Sequence, residues 1–183
     1  MLGRSTKPTA APRSVCHRHT SRLTLRPIAL ADAEFAVVLF ARPELIAHRP
    51  DRTPETADKI RLGLSADLEY WRMHGFGRWA IECDGALIGF GGLTRRDGFD
   101  GLNISYHLHP TVWRQGFASK FVAEALAVVF EPLKQARVFG LVRPSNMASA
   151  HVLKKSGFIF ERELEFNGAP TCLWASHQTS ATQ

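Results

Sequence analysis

Asp84-Gly85 stands between two apolar runs, Trp79–Cys83 and Ala86–Leu93, and no other local feature constrains the chain as much. A two-residue turn of this type matches the twist of paired strands, so it predicts a tight antiparallel hairpin near mid-sequence. The flanking segments switch between two periods. Arg22–Arg26 alternates polar and apolar residues, as a half-buried strand does, and Pro27 closes it. Asp32 opens an apolar helix to Ala41, and Pro54–Met73 places Ile60, Leu64, Leu68 and Trp71 on one stripe with Thr53 as N-cap. Leu102–Leu108 reads as a strand, with Ile104, Tyr106 and Leu108 on one face and Asn103, Ser105 and His107 on the other. A helix over Gly116–Glu131 and a strand over Val138–Val142 follow. A helix over Asn146–Ser156, ended by Gly157, then leads to strands over Phe158–Phe166 and Thr171–Ala175. This order, βααβββαβαβ, predicts an α/β (α+β) fold in which four helices cover a mixed sheet.

The chain has 183 residues, 45% of them hydrophobic, which suits one domain with a sizeable core. No apolar stretch is long enough to span a bilayer. Cys16, Cys83 and Cys172 are far apart and show no metal spacing, so neither a disulfide framework nor a zinc ribbon is expected, and a cytoplasmic location is. The net charge of +6 comes from Arg4, Lys7, Arg13, Arg18, Arg22 and Arg26, because residues 1–31 hold no acid and the rest is balanced. Six charges without interleaved aromatic residues do not make a nucleic-acid site. Met1–Thr20, with Pro8 and Pro12 and no apolar h-region, reads as a disordered basic tail rather than a secretory signal. The domain then spans residues 21–176, and residues 177–183 form a second tail.

Two stretches carry chemistry. In Trp113-Arg114-Gln115-Gly116-Phe117-Ala118-Ser119, a short connection after a strand opens a helix at a glycine. Unpaired amides and the helix dipole make such a start an anion site, to which Arg114 and Lys120 add charge. In the second stretch, Asn146 and Ser149 share a face on the first turn of a later helix, with Asn146 or Ser145 available as N-cap.

Together these blocks resemble the GNAT superfamily of acyl-CoA N-acyltransferases, in its RimJ/RimL-type branch. Trp79–Leu93 is similar to the family's central hairpin. Ile104–Leu108 running into Trp113–Ser119 is similar to its pyrophosphate loop. Asn146-x-x-Ser149 followed by Leu153-x-x-Ser156-Gly157-Phe158 is similar to the branch signature. The resemblance covers Ser21–Ala175 and implies a sheet splayed between the fourth and fifth strands, Leu102–Leu108 and Val138–Val142. It implies acetyl-CoA as co-substrate and a primary amine as acceptor, on a protein N-terminus or a small molecule, in a monomer or homodimer without a metal. It further implies pantetheine pairing along Ile104, Tyr106 and Leu108, and pyrophosphate on the amides of Arg114, Gln115, Gly116, Phe117, Ala118 and Ser119. Asn146 would hold the pantetheine arm and Ser149 would protonate the departing thiolate. The usual glutamate of the fourth strand is Asn103 here, so a base for the amine is missing. His107 shares the face of Asn103 and is the candidate replacement, against a role as mere cleft lining. The same departure keeps a second class open, a non-catalytic acyl-CoA-binding regulatory domain.

Overall fold

The computed structural model describes residues 13–178. Its elements run α1 (Arg13–Cys16), β1 (Arg18–His19), β2 (Thr24–Pro27), α2 (Ala33–Phe40), α3 (Pro43–Ile46), α4 (Ala57–His74), β3 (Arg78–Cys83) and β4 (Ala86–Thr94). They continue with β5 (Leu102–Leu108), α5 (Phe117–Phe130), β6 (Arg137–Val142), α6 (Met147–Lys155), β7 (Ile159–Phe166) and β8 (Ala169–His177). The strands form one sheet in the order β1-β2-β3-β4-β5-β6-β8-β7, antiparallel except for the parallel pair β5–β6. The hairpin forms at its expected place, with Asp84 and Gly85 both at positive φ between β3 and β4.

Successive residues of a strand face opposite sides, and β4 shows which helices cover which. Phe90 meets Phe35 and Phe40 of α2, with ring centroids 5.8 and 6.0 Å away. At Gly91, by contrast, a Cβ would lie 2.5 Å from the Phe121 ring of α5. The α5 face buries Phe117, Phe121, Val122, Ala125, Val128 and Val129, the stripe its 3.6-residue period predicts. On α4, Ile60, Leu64 and Trp71 are buried. That helix begins later than expected. Thr56, not Thr53, is its N-cap and accepts from Lys59 N–H at 3.3 Å, while Thr53 lies in a preceding turn with its N–H donating to the Asp51 carboxylate at 2.8 Å.

The expected tail boundary is corrected at Thr20. Val15 is fully buried, the Trp79 indole N–H donates to its carbonyl at 3.0 Å, and Arg18 pairs with Glu124 at 3.0 Å. β1 also pairs with β2. A single apolar residue in a polar, proline-bearing context shows no period, so this docking left no mark in the sequence. The rest of the expected tail, residues 1–12, lies outside the described residues. At the other end β8 continues through His177, and residues 179–183 lie outside the described residues.

Candidate active site

The parallel strands β5 and β6 pair only at Leu102↔Val138 and Asn103↔Phe139. From Ile104 onward they part, while β5 stays on β4 as far as Leu108↔Gly89 and β6 stays on β8 to Val142↔Cys172. One backbone edge of β5 beyond Asn103 therefore faces a gap, and its polar groups need partners. Gly140 helps to set the floor of this gap. A Cβ there would approach the Leu153 methyl of α6 to 2.7 Å and Ile104 Cγ2 to 3.6 Å, so its absence lets those side chains close beneath. Ile104 and Leu108 are themselves buried, so only their backbone is on offer. The Leu108 carbonyl already accepts from the Trp113 indole at 2.8 Å, a tie that sequence reading missed.

Beyond the end of β5, Arg114 and Gly116 both take positive φ, and α5 starts without a side-chain cap. Lys120 N–H bonds the Gly116 carbonyl, so the amides of Phe117, Ala118 and Ser119 precede the first closed turn. Phe117 is buried, leaving its amide alone to act. The loop is braced by residues not foreseen. Arg22 donates to the Gln115 carbonyl at 3.0 Å and lies 4.2 Å over the Phe117 ring, and Lys120 donates to Ser21 at 2.9 Å. Gln115 is itself tied to the Thr111 carbonyl at 3.0 Å. Three cations, Arg22, Arg114 and Lys120, thus stand in or against this loop, beside helix-start amides of the kind that suit an anion.

On α6, Asn146 Oδ1 accepts from Ser149 N–H at 3.1 Å, so the asparagine is the N-cap and still has its two amide protons for a ligand. Tyr106 Oη is buried with no partner in hydrogen-bond geometry among the described residues. Burial pushes that phenol up, and the neighbouring Ser149 hydroxyl opposes the push. Tyr106 and Ser149 thus face each other across the gap between β5 and α6.

The opposite face of β5 differs from expectation. Asn103 is buried and accepts from Arg96 Nε at 2.9 Å, so it holds the loop after β4 and cannot ionise. Arg96, from the loop between β4 and β5, is the residue that fastens it. His107 lines a cavity of about 170 Å³ with Phe40, Arg49, Asp67, Arg78 and Phe90. Burial first, then the charges of Arg78 and Arg49, push its imidazole down to about 3. An imidazole this hard to protonate is a weak base, which favours the cleft-lining reading of His107 over the base. His109 is apart from it, capping a turn through Thr111 N–H at 3.4 Å. An outer cavity of about 620 Å³ shares Arg49, Glu55 and Lys59 with the inner one and extends to Arg143 and Asn167.

The sheet thus opens between β5 and β6 beside the uncapped start of α5, with a cavity on the other face of β5. The family model for the acetyltransferase (GNAT) domain matches residues 22–159, and the chain belongs to that family. It is an acetyl-CoA-dependent N-acetyltransferase. The N-acetyltransferase YoaA of Bacillus subtilis is 29% identical over 161 residues, covering 82% of this chain and 89% of that protein. The acetyltransferase of Agrobacterium tumefaciens superposes with a TM-score of 0.78 at 23% identity, over 96% of this chain and 100% of that one. RimJ of Mycobacterium smegmatis, in complex with CoA-disulfide, superposes with a TM-score of 0.71 at 22% identity, over 88% and 84%. The site suits coenzyme A chemically. Open strand edge and asparagine amide match the amides of a pantetheine arm, and helix-start amides with nearby cations match its phosphates.

Proposed function

We propose that the gap between β5 and β6 holds the pantetheine arm of acetyl-CoA and that a primary amine attacks the thioester directly while both substrates are bound. The observation that carries this is the parting of the two strands after Asn103↔Phe139. Arg114, Gln115 and Gly116 shape the loop, and the amides of Phe117, Ala118 and Ser119 receive the pyrophosphate. The backbone along Ile104–Tyr106 receives the arm, and a β5 amide steadies the negative charge that develops on the carbonyl oxygen. Asn146, oriented by its cap bond to Ser149 N–H, donates its amide protons to a pantetheine carbonyl. The Ser149 hydroxyl, beside Tyr106, delivers a proton to the departing sulfur. The acceptor amine sits on a protein N-terminus or a small molecule. Three free thiols among the described cysteines fit a reducing, cytoplasmic setting, and no helix of the described residues is long and apolar enough to cross a membrane.

The test is thiol release from acetyl-CoA over a panel of amines, beside calorimetric titration with CoA. Turnover on at least one amine is expected. Tight CoA binding with no turnover on any of them would return the protein to the class of acyl-CoA-binding regulators.

A further inference from the structure

Asn103 and His107 leave the acceptor amine with nothing to take its proton, yet a carboxylate does reach the right face of β5. Asp67 projects from α4 into the cavity that His107 lines, and its Oδ2 lies 3.5 Å from Arg78 Nε, an ion pair longer than a hydrogen bond. One further group in that cavity has unfinished bonding: His107 Nδ1 is buried without a hydrogen-bond partner among the described residues, and Arg78 Nε has only the long ion pair to Asp67. Such atoms are costly unless something binds there. Phe40, Phe90, Ile60 and Leu64 supply the apolar walls, and the outer cavity provides the way in.

We infer that this cavity is the acceptor subsite, that Asp67 takes the proton of the entering ammonium, and that His107 Nδ1 accepts a hydrogen bond from the bound nitrogen. The inference rests on the acetyl-transfer reading above. A primary ammonium carries three donors and no acceptor, which complements a carboxylate oxygen and an imidazole lone pair. One N–H bond breaks and its proton passes to the Asp67 carboxylate. The freed nitrogen lone pair forms the N–C bond with the acetyl carbon, the C–S bond breaks, and sulfur keeps its electron pair. Sulfur takes the Ser149 proton, and the second nitrogen proton restores the serine. Asp67 then releases the net proton to water through the outer cavity.

The surroundings suit this role. Burial raises the Asp67 carboxyl above the ordinary aspartate value and Arg78 opposes that rise. The other charges facing the cavity are Arg49 and Lys59, both paired with Glu55 at 3.6 and 3.4 Å, and His107 is neutral. Asp67 is the ionisable carboxylate of this cavity that is not already shared between two cations.

The experiment uses the full chain with spermidine, glucosamine and an alanyl peptide as acceptors. For any amine the wild type acetylates, Asp67→Asn should lower kcat/KM at pH 7 by roughly 10²- to 10⁴-fold while calorimetric CoA affinity stays unchanged. The deficit should shrink about tenfold per pH unit as solvent supplies neutral amine, and Asp67→Glu should recover part of the rate. A pH profile parallel to wild type, or recovery in the Asp67→Asn/Arg78→Gln double variant, would mean that Asp67 only balances Arg78, and would overturn the inference. Absence of wild-type turnover on every amine would sink the acetyl-transfer reading instead. Asp67 would then be judged by the carboxyl ¹³C resonance of aspartate-labelled protein with CoA. Movement on adding saturating amine supports the subsite, and no movement with any of the three overturns it.

Discussion

At the residue scale, Gly116 matters for its backbone rather than for space. Its φ is +81° and a Cβ there would meet nothing within 4 Å. Gly116→Val therefore collides with no wall but forces an L side chain into a left-handed conformation, at a cost of about 1–2 kcal/mol. The loop relaxes away from that geometry, and calorimetry should show CoA affinity at least about tenfold weaker, the equivalent of 1.4 kcal/mol. Unchanged affinity would detach the loop from the pyrophosphate. Asn146 and Ser149 separate in kinetics. Ser149→Ala should lower kcat by roughly 10- to 1000-fold with little change in KM for acetyl-CoA, as a lost proton donor does. Asn146→Ala should raise that KM and also cost about 1 kcal/mol of stability through the lost cap. His107 has a stability signature. The unfolded imidazole takes a proton below about pH 6.5, while the folded one refuses it until about 3. Stability intact above pH 6.5 is thus lost as pH falls through that window, by up to about 2 kcal/mol at pH 5. In His107→Gln the drop in Tm between pH 7 and 5 should be visibly smaller.

Among the elements, α1 and β1 carry the clearest consequence. Val15 is fully buried and its carbonyl receives the Trp79 indole. Removing residues 1–19 exposes an apolar slot worth about 1.5–3 kcal/mol and orphans a buried N–H at about 1–3 kcal/mol. At about 2–4 °C per kcal/mol for a chain of this size, Tm should fall by roughly 5–25 °C. An unshifted melting curve would show that the segment is dispensable. The turn from β1 to β2 also braces, through Ser21 and Arg22, the loop proposed for the pyrophosphate, so CoA affinity should weaken along with stability.

For the whole molecule, the gap between β5 and β6 makes stability depend on the co-substrate. CoA at 100 times its Kd adds about 2.7 kcal/mol, enough to raise Tm by about 5–10 °C. Hydrogen exchange should slow at the amides of Ile104–Tyr106 and of Phe117–Ser119, and stay as it was in β7 and β8. Protection gained only outside those two segments would place the co-substrate elsewhere.

The elements were legible in the sequence because their causes are local. Asp84-Gly85 set the hairpin by turn chemistry. Alternation bounded the strand Leu102–Leu108 to the residue, and Phe117, Phe121, Ala125 and Val128 marked α5 by period. The glycine helix start and the Asn146–Ser149 spacing were likewise readable as short-range geometry. Chemistry on the other face of β5 was not, because burial and charge are sums over residues far apart in the chain. His107 becomes neutral through Phe40, Arg49, Arg78 and Phe90, none of them near it in sequence. Asn103 is fastened by Arg96 from a loop, and Asp67 enters from a helix whose pattern spoke only of packing. The sequence by itself determined most strands and helices from β2 onward and singled out the two segments proposed for coenzyme A. Only the tertiary structure decided which side chains can carry a proton, since that depends on what each strand and helix is packed against.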